Sequence, residues 1–268
     1  MFDKLLSQDN PVLEVPKMKI AVISDVHGNL VALEAALQDI EREQVDQIVC
    51  LGDVATTGPQ PHETVEKLKL VGCPVVMGNS DEWALNQGPL ELHGDASEEE
   101  KRKATEIELW SAKQLRRADL DYMRTFKSII ELSLGNDKEK LLCFHGSPKS
   151  NKDFIHATTL DVELERMTSG TTALILAGGR AHTQMIRRFR KMLIINPGSV
   201  GLPYEHLSPN EVINPLRAEY AILSYSGREN FGIELRRVPF DKEALNRAVL
   251  NSGMPNSEWY IKDWKMMS

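Results

Sequence analysis

Five short segments of this chain carry the side-chain types that hold cations: SDVHGN (24–29), GD (52–53), GNSD (78–81), HGSP (145–148) and AGGRAHTQ (177–184). Together they offer Asp25, His27, Asp53, Asn79, His145 and His182. A lone aspartate after a strand is more often a helix cap than a ligand. Five such segments in succession are another matter. Mixed oxygen and nitrogen donors suit Mn²⁺, Fe²⁺, Zn²⁺, Ni²⁺ or Co²⁺, and two such ions would sit ~3.5–4 Å apart across a shared carboxylate. Glycines at 28, 52, 78, 146 and 179 let the backbone turn sharply beside these residues.

Such residues can act together only if the elements before them deliver them to one edge. KIAVIS (19–24) and DQIVCLGD (46–53) read as buried strands, with the amphipathic helix LVALEAALQDIERE (30–43) between them. A helix over about His62–Leu70 and a third strand in GCPVVMGNSD (72–81) continue the alternation, which predicts a parallel sheet with right-handed crossovers. IIELSL and KLLCFHG, separated by GNDKEK, read as a hairpin, and ALILAGG as a strand after a helix near 158–168. RFRKMLIINPGSVG reads as a strand pair or one long strand. EYAILSYSG and NFGIELRRVPF make a last hairpin before a helix at 241–250. Loops at the C-terminal ends of parallel strands are where α/β proteins put their sites, and the cation-binding segments fall there. The strand-rich second half predicts two packed mixed sheets rather than one open sheet.

Residues 82–126 form a charged helical insert, with Ile107, Leu109, Trp110 and Leu115 on a partial apolar face and a short helix at ADLDYMRTF. Residues 1–17 are expected to be a weakly packed extension and 252–268 a tail, whose NSEWYIKDWKMMS docks on the body. With a net charge of −7 over 268 residues, nucleic acid is an unlikely partner on bulk charge, and only RRFR (187–190) is densely basic. No apolar stretch is long enough to span a bilayer, and the N-terminus lacks a signal-peptide core. Cys50, Cys73 and Cys143 sit in or beside apolar runs, as buried free thiols of a reducing cytoplasm would.

The ordered set D-x-H, G-D, G-N-x-D, H and G-x-x-H resembles the calcineurin-like metallophosphoesterase superfamily. LIINPGSVGLP resembles its small bacterial and archaeal phosphodiesterase-like branch, and the likeness spans roughly residues 18–240. The resemblance implies an α/β/β/α sandwich of two mixed sheets flanked by helices. It implies a first metal at Asp25, His27, Asp53 and His182, and a second at Asp53, Asn79 and His145, with Asp53 bridging. It also implies a metal-dependent phosphoesterase that hydrolyses phosphate mono- or diesters by attack of a metal-bound hydroxide, with Asp53, Asn79 and Arg180 in the reacting site.

Two positions depart from the family pattern. Ser80 stands where the family commonly has the histidine that assists leaving-group protonation, and a serine is a poor general acid. The family's G-H-T-H is GRAH here. Without a gap, Arg180 takes the first histidine position and His182 the second; a shifted register would put His182 first and Gln184 second. Arginine has only donors and cannot ligate a cation. Arg180 is therefore expected to weaken the second metal site, or to grip phosphate itself. The alternatives are a salt bridge pointing away from a decayed site, and a catalytically impaired scaffold whose insert and aromatic tail bind partners. Asp81 is expected to bond within its loop, Asn29 to support the ligands, and Gly198 and Ser199 to shape a turn beneath them. His62, His93, His156 and His206 read as surface residues. An oligomer is compatible with the sequence.

Overall fold

The computed structural model describes residues 18–88, 97–135, 138–208 and 211–266. The 1–17 extension and His93 lie outside the described residues. The chain opens with β1 (Met18–Ile23), α1 (Leu30–Arg42), β2 (Gln47–Cys50), α2 (Pro61–Val71) and α3 (Asn79–Asn86). Next come α4 (Glu98–Gln114), α5 (Arg117–Met123), β3 (Ile129–Leu134), β4 (Glu139–Phe144), α6 (Asp161–Thr168) and β5 (Ile175–Gly178). β6 (Met185–Phe189), β7 (Met192–Asn196), β8 (Glu205–Ser208), β9 (Glu211–Pro215), β10 (Arg217–Tyr225) and β11 (Phe231–Pro239) follow. α7 (Lys242–Ser252), α8 (Ser257–Lys262) and β12 (Trp264–Lys265) complete it.

Two mixed sheets, ordered β11-β10-β1-β2 and β3-β4-β5-β7-β6, form the centre of the molecule. β1 and β2 are parallel, as are β4, β5 and β7, while β10, β3 and β6 run antiparallel to their neighbours. Alternation along each strand explains the layering. Ile20 and Val22 of β1 meet Leu141, Cys143, Ile175 and Ala177 of the other sheet in the core between the sheets. Ala21 and Ile23, on the opposite face, pack under Leu33, Ala36, Val65, Leu68, Leu245 and Val249 of α1, α2 and α7. Leu164 and Met167 of α6 cover Leu142, Phe144 and Leu176 on the far side. The result is the expected α/β/β/α sandwich, with side chains such as Ile20 and Leu33 buried at ~1.5–3 kcal/mol each.

Four details differ from the sequence reading. The third strand is reduced to two isolated bridges, Cys50 with Val75 and Val76 with Lys127. The chain turns into α3 directly at Asn79, because Asp81 reaches back to the Gly78 amide and caps the helix. On α4, Leu109 is 40 % exposed, whereas Ile107 is buried. A third, small sheet, β12-β9-β8, was not foreseen; it holds the tail in place, with Trp264 buried edge-on against Phe240. Finally, His62 is not a simple surface residue, since its Nδ1 lies 2.8 Å from the buried Asp119 carboxylate. Among the described residues no helix is long and apolar enough to cross a membrane, and Cys50, Cys73 and Cys143 are free thiols.

Candidate metal centre

The ends of β1, β2, β4 and β5 open on one rim, the loops after them carry Asp25, His27, Asp53, His145 and His182, and the first residue of α3 adds Asn79. Asp25, His27, Asp53, His145 and His182 are all buried. Asp25, His27 and His182 offer ligand atoms within 4.8 Å of one another, and so do Asp25, Asp53 and His145. His145 Nε2 lies 3.0 Å from Asn79 Oδ1, which adds the sixth residue to the second cluster.

Backbone carbonyls orient the histidines. Nδ1 of His145 faces Leu51 O at 2.8 Å, Nδ1 of His182 faces Leu202 O at 2.7 Å, and Nδ1 of His27 faces Thr56 O at 3.3 Å. A carbonyl can only accept, so each Nδ1 carries a proton, and each ring, when neutral, turns an Nε2 lone pair inward. His27 Nε2 and His182 Nε2 thus confront each other at 3.1 Å, and His182 Nε2 is 3.1 Å from Asp25 Oδ1. That oxygen is buried and has no hydrogen-bond partner among the described residues. Two imidazole nitrogens and a buried carboxylate oxygen thus converge on one point, where either a proton on His182 or a cation relieves the crowding, and the donor set fits a divalent metal.

The strain in the backbone points the same way. Asp25, His27, Asp53, Arg180 and His182 all have positive φ, between 46° and 66°. Each such residue costs ~1–2 kcal/mol, and five of the ten non-glycine residues with positive φ among the described residues belong to this site. Close packing holds them there. A Cβ at Gly78 would overlap Asp53 Oδ1, and one at Gly179 would overlap the Ser24 hydroxyl that bonds Asp25.

Burial and neighbouring charge set the protonation. Burial, with the charge of His182, pushes His27 down to about 4. Burial also disfavours charge on His145, but Asp53 and Asp25 outweigh it and carry this ring up to about 9. Asp53 resists burial because His145, His27 and Arg180 draw its carboxyl well below the usual range. Asp81 accepts the amides of Asp53, Val54 and Gly78. It therefore ties the Asp53 loop to α3 as well as bonding within its own loop. Asn29 caps α1 and donates to Gly201 O. Ser199 does lie beneath the site, donating to Asp25 O at 2.7 Å.

The placement of the fifth segment favours the gap-free register. His182 faces the centre, whereas Gln184 is turned away and donates to Pro197 O, Tyr220 O and Arg236 O. Arg180 faces a cleft of about 490 Å³ shared with His27, Asp53, Asn79 and His182. Its guanidinium lies over the Phe154 ring at 4.2 Å, and its Nε is buried without a partner among the described residues. Ser80 donates through its amide and its hydroxyl to the Asp53 carboxylate, at 2.8 and 3.0 Å.

Several cleft residues escaped the sequence reading: Trp83, Glu108, Phe154 and Tyr204. Tyr204 stacks on His182 at 5.2 Å. Glu108 left a readable trace. Ile107 and Ser111 are buried on the inward face of α4, Leu115 packs at its C-cap, and Glu108 falls on the same stripe with a charge.

The family profile of the calcineurin-like phosphoesterase superfamily domain matches residues 18–218, a span that includes all six converging residues. An uncharacterized protein of Methanocaldococcus jannaschii is 28 % identical over 258 residues, covering 91 % of this chain and 96 % of its own length. A metallophosphoesterase from Sphaerobacter thermophilus superposes with a TM-score of 0.68 at 25 % identity, over 92 % of this chain and 97 % of that one. A hypothetical protein from Pyrococcus horikoshii shares the fold at a TM-score of 0.72 and 18 % identity, over 91 % and 96 % of the two chains. The profile spans most of the chain and includes the cluster whose residues fit a divalent cation, and the chain belongs to the calcineurin-like phosphoesterase superfamily.

Proposed function

We propose that the protein is a metal-dependent hydrolase of phosphate mono- or diesters, with a firm cation site at Asp25, His27, Asp53 and His182. A weaker site lies at Asp53, Asn79 and His145, and Asp53 serves both. The confrontation of His27 Nε2 and His182 Nε2 at 3.1 Å beside the partnerless Asp25 Oδ1 carries this reading. The donor set fits Mn²⁺, Fe²⁺, Zn²⁺, Ni²⁺ or Co²⁺.

A divalent cation held there lowers the pKa of a coordinated water toward about 7 and screens phosphate charge. The chain's own residues do the rest. Leu51 O, Thr56 O and Leu202 O fix the imidazole tautomers. Ser80 fixes the Asp53 carboxylate through its two bonds. Arg180, stacked on Phe154, presents a permanent positive charge to phosphate oxygens from the side where a further histidine would strengthen the second cation site. Arg180 thus trades metal affinity for direct substrate contact. The three free thiols match a reducing cytoplasm.

A chromogenic phosphodiester assayed with Mn²⁺ tests the reading. The wild-type chain turns it over and Asp53→Asn does not. Equal rates in the two would contradict the reading and favour a non-catalytic binding protein built on the same fold.

A further inference from the structure

The cleft lacks the leaving-group acid that Ser80 displaces, and most of its other groups cannot supply a proton. The Ser80 hydroxyl is committed to Asp53 Oδ2 at 3.0 Å. The Tyr204 hydroxyl donates to Ala181 O at 3.2 Å. The His27 and His182 Nε2 atoms face the cation site, and a guanidinium such as that of Arg180 does not give up its proton. Glu82 is held at the mouth by Asn151, 3.1 Å away.

Glu108 is different. It belongs to the insert helix α4 and lines the same cleft as Asp53, Asn79 and Ser80. One carboxyl oxygen, Oε1, accepts the Thr57 hydroxyl, and Thr57 belongs to the loop that carries Asp53. The other, Oε2, is buried and makes no hydrogen bond of good geometry among the described residues, although the likewise buried Thr56 hydroxyl is near enough to pull on the carboxyl. The helix is pinned at this point, because the Ser111 hydroxyl, one turn on, accepts the Thr57 amide at 3.1 Å. Asp53 from the strand-end loop and Tyr260 from α8 are the titratable groups whose charge Glu108 feels or perturbs, with Lys152 and Arg180 across the cleft.

We propose that Glu108 is the catalytic acid of this cleft, donating a proton from its carboxyl to the departing oxygen of the phosphate ester. The proposal rests on the phosphoesterase reading above. As the attacking water oxygen bonds to phosphorus it sheds one proton to solvent. The phosphorus–oxygen bond to the leaving group breaks, its electron pair stays with that oxygen, and the Glu108 proton neutralises it. The carboxylate left behind keeps the Thr57 hydroxyl bond and recovers a proton from solvent before the next turnover, so no net proton is gained or lost at the site. Burial supports the assignment, since with the charge of Asp53 it pushes the Glu108 carboxyl up to about 7 against the pull of the Thr57 and Thr56 hydroxyls. A carboxyl so placed is protonated in a good fraction of molecules near neutral pH.

The test uses the Mn²⁺-loaded full chain and a series of aryl phosphate esters whose leaving groups run from nitrophenol to phenol. A nitrophenolate leaves without help, and a phenolate needs a proton. Glu108→Gln is expected to slow the phenyl ester about a hundredfold and the nitrophenyl ester about threefold at most, with Glu108→Asp restoring part of the difference. Equal slowing of both esters, or no slowing of either, overturns the proposal while leaving the phosphoesterase reading intact. Should Glu108→Gln fail to fold, the wild-type series decides alone: a shallow dependence of rate on leaving-group pKa supports an acid, and a steep one overturns it. A wild-type chain that binds Mn²⁺ but hydrolyses no ester of the series sinks the underlying reading instead.

Discussion

Glu108 should leave a thermodynamic signature independent of turnover. Its carboxyl is raised from 4.5 to about 7 in the folded chain, chiefly by burial. The folded state therefore binds that proton more tightly than the unfolded state, and the group's contribution to stability falls as pH rises through the window between the two values. For a single group with these constants the cost is about 1 kcal/mol at pH 5 and about 3 kcal/mol at pH 8. Glu108→Gln keeps an oxygen for the Thr57 hydroxyl and removes the ionisation. In chelator-treated protein, urea unfolding followed by far-ultraviolet circular dichroism should show wild type losing about 2–3 kcal/mol more than the variant between these two pH values. Every other titrating group is common to both chains and cancels. Parallel losses in the two proteins would refute the reasoning, because they would mean that the Glu108 carboxyl is solvated and titrates normally.

Two further perturbations act on the ligand shell. Gly78→Ala places a methyl against Asp53 Oδ1 and the Asp53 amide; it should cost ~1–3 kcal/mol in urea unfolding and weaken Mn²⁺ binding measured by calorimetry, and unchanged affinity would show that Asp53 is not fixed by that contact. Arg180→Lys retains a positive charge but not the planar stack on Phe154; it should raise KM for a phosphate ester by about tenfold, and an unchanged KM would remove Arg180 from substrate contact.

Much of this was legible in the chain. The strands that matter are short runs such as KIAVIS and DQIVCLGD, buried and apolar toward their C-terminal ends, with the ligands placed directly after them. The loops could be read because the residue types at their tips make poor sense elsewhere. The tautomers could not, since they depend on Leu51 O, Thr56 O and Leu202 O, which carry no side-chain signal. The small sheet was hidden because β8 is largely exposed and β12 is only two residues long, so neither shows a periodic pattern. The third strand looked convincing as an apolar run, yet its pairing is confined to two bridges before the Asp81 cap starts α3. Glu108 sits in EEEKRKATEIELW, where one more carboxylate looks like surface. Its place on the inward stripe of α4 is the one hint, and the contact with Thr57, 51 residues away in the chain, is what draws it into the cleft wall.

The central claim is that strand-end loops far apart in sequence build one cation site. Anomalous scattering from crystals soaked in Mn²⁺ tests it most directly. The account predicts a strong peak among Asp25, His27, Asp53 and His182, a weaker one toward Asn79 and His145, and loss of the first in Asp25→Ala. Soaked crystals with no manganese between His27 and His182, or with manganese bound only elsewhere, would contradict it.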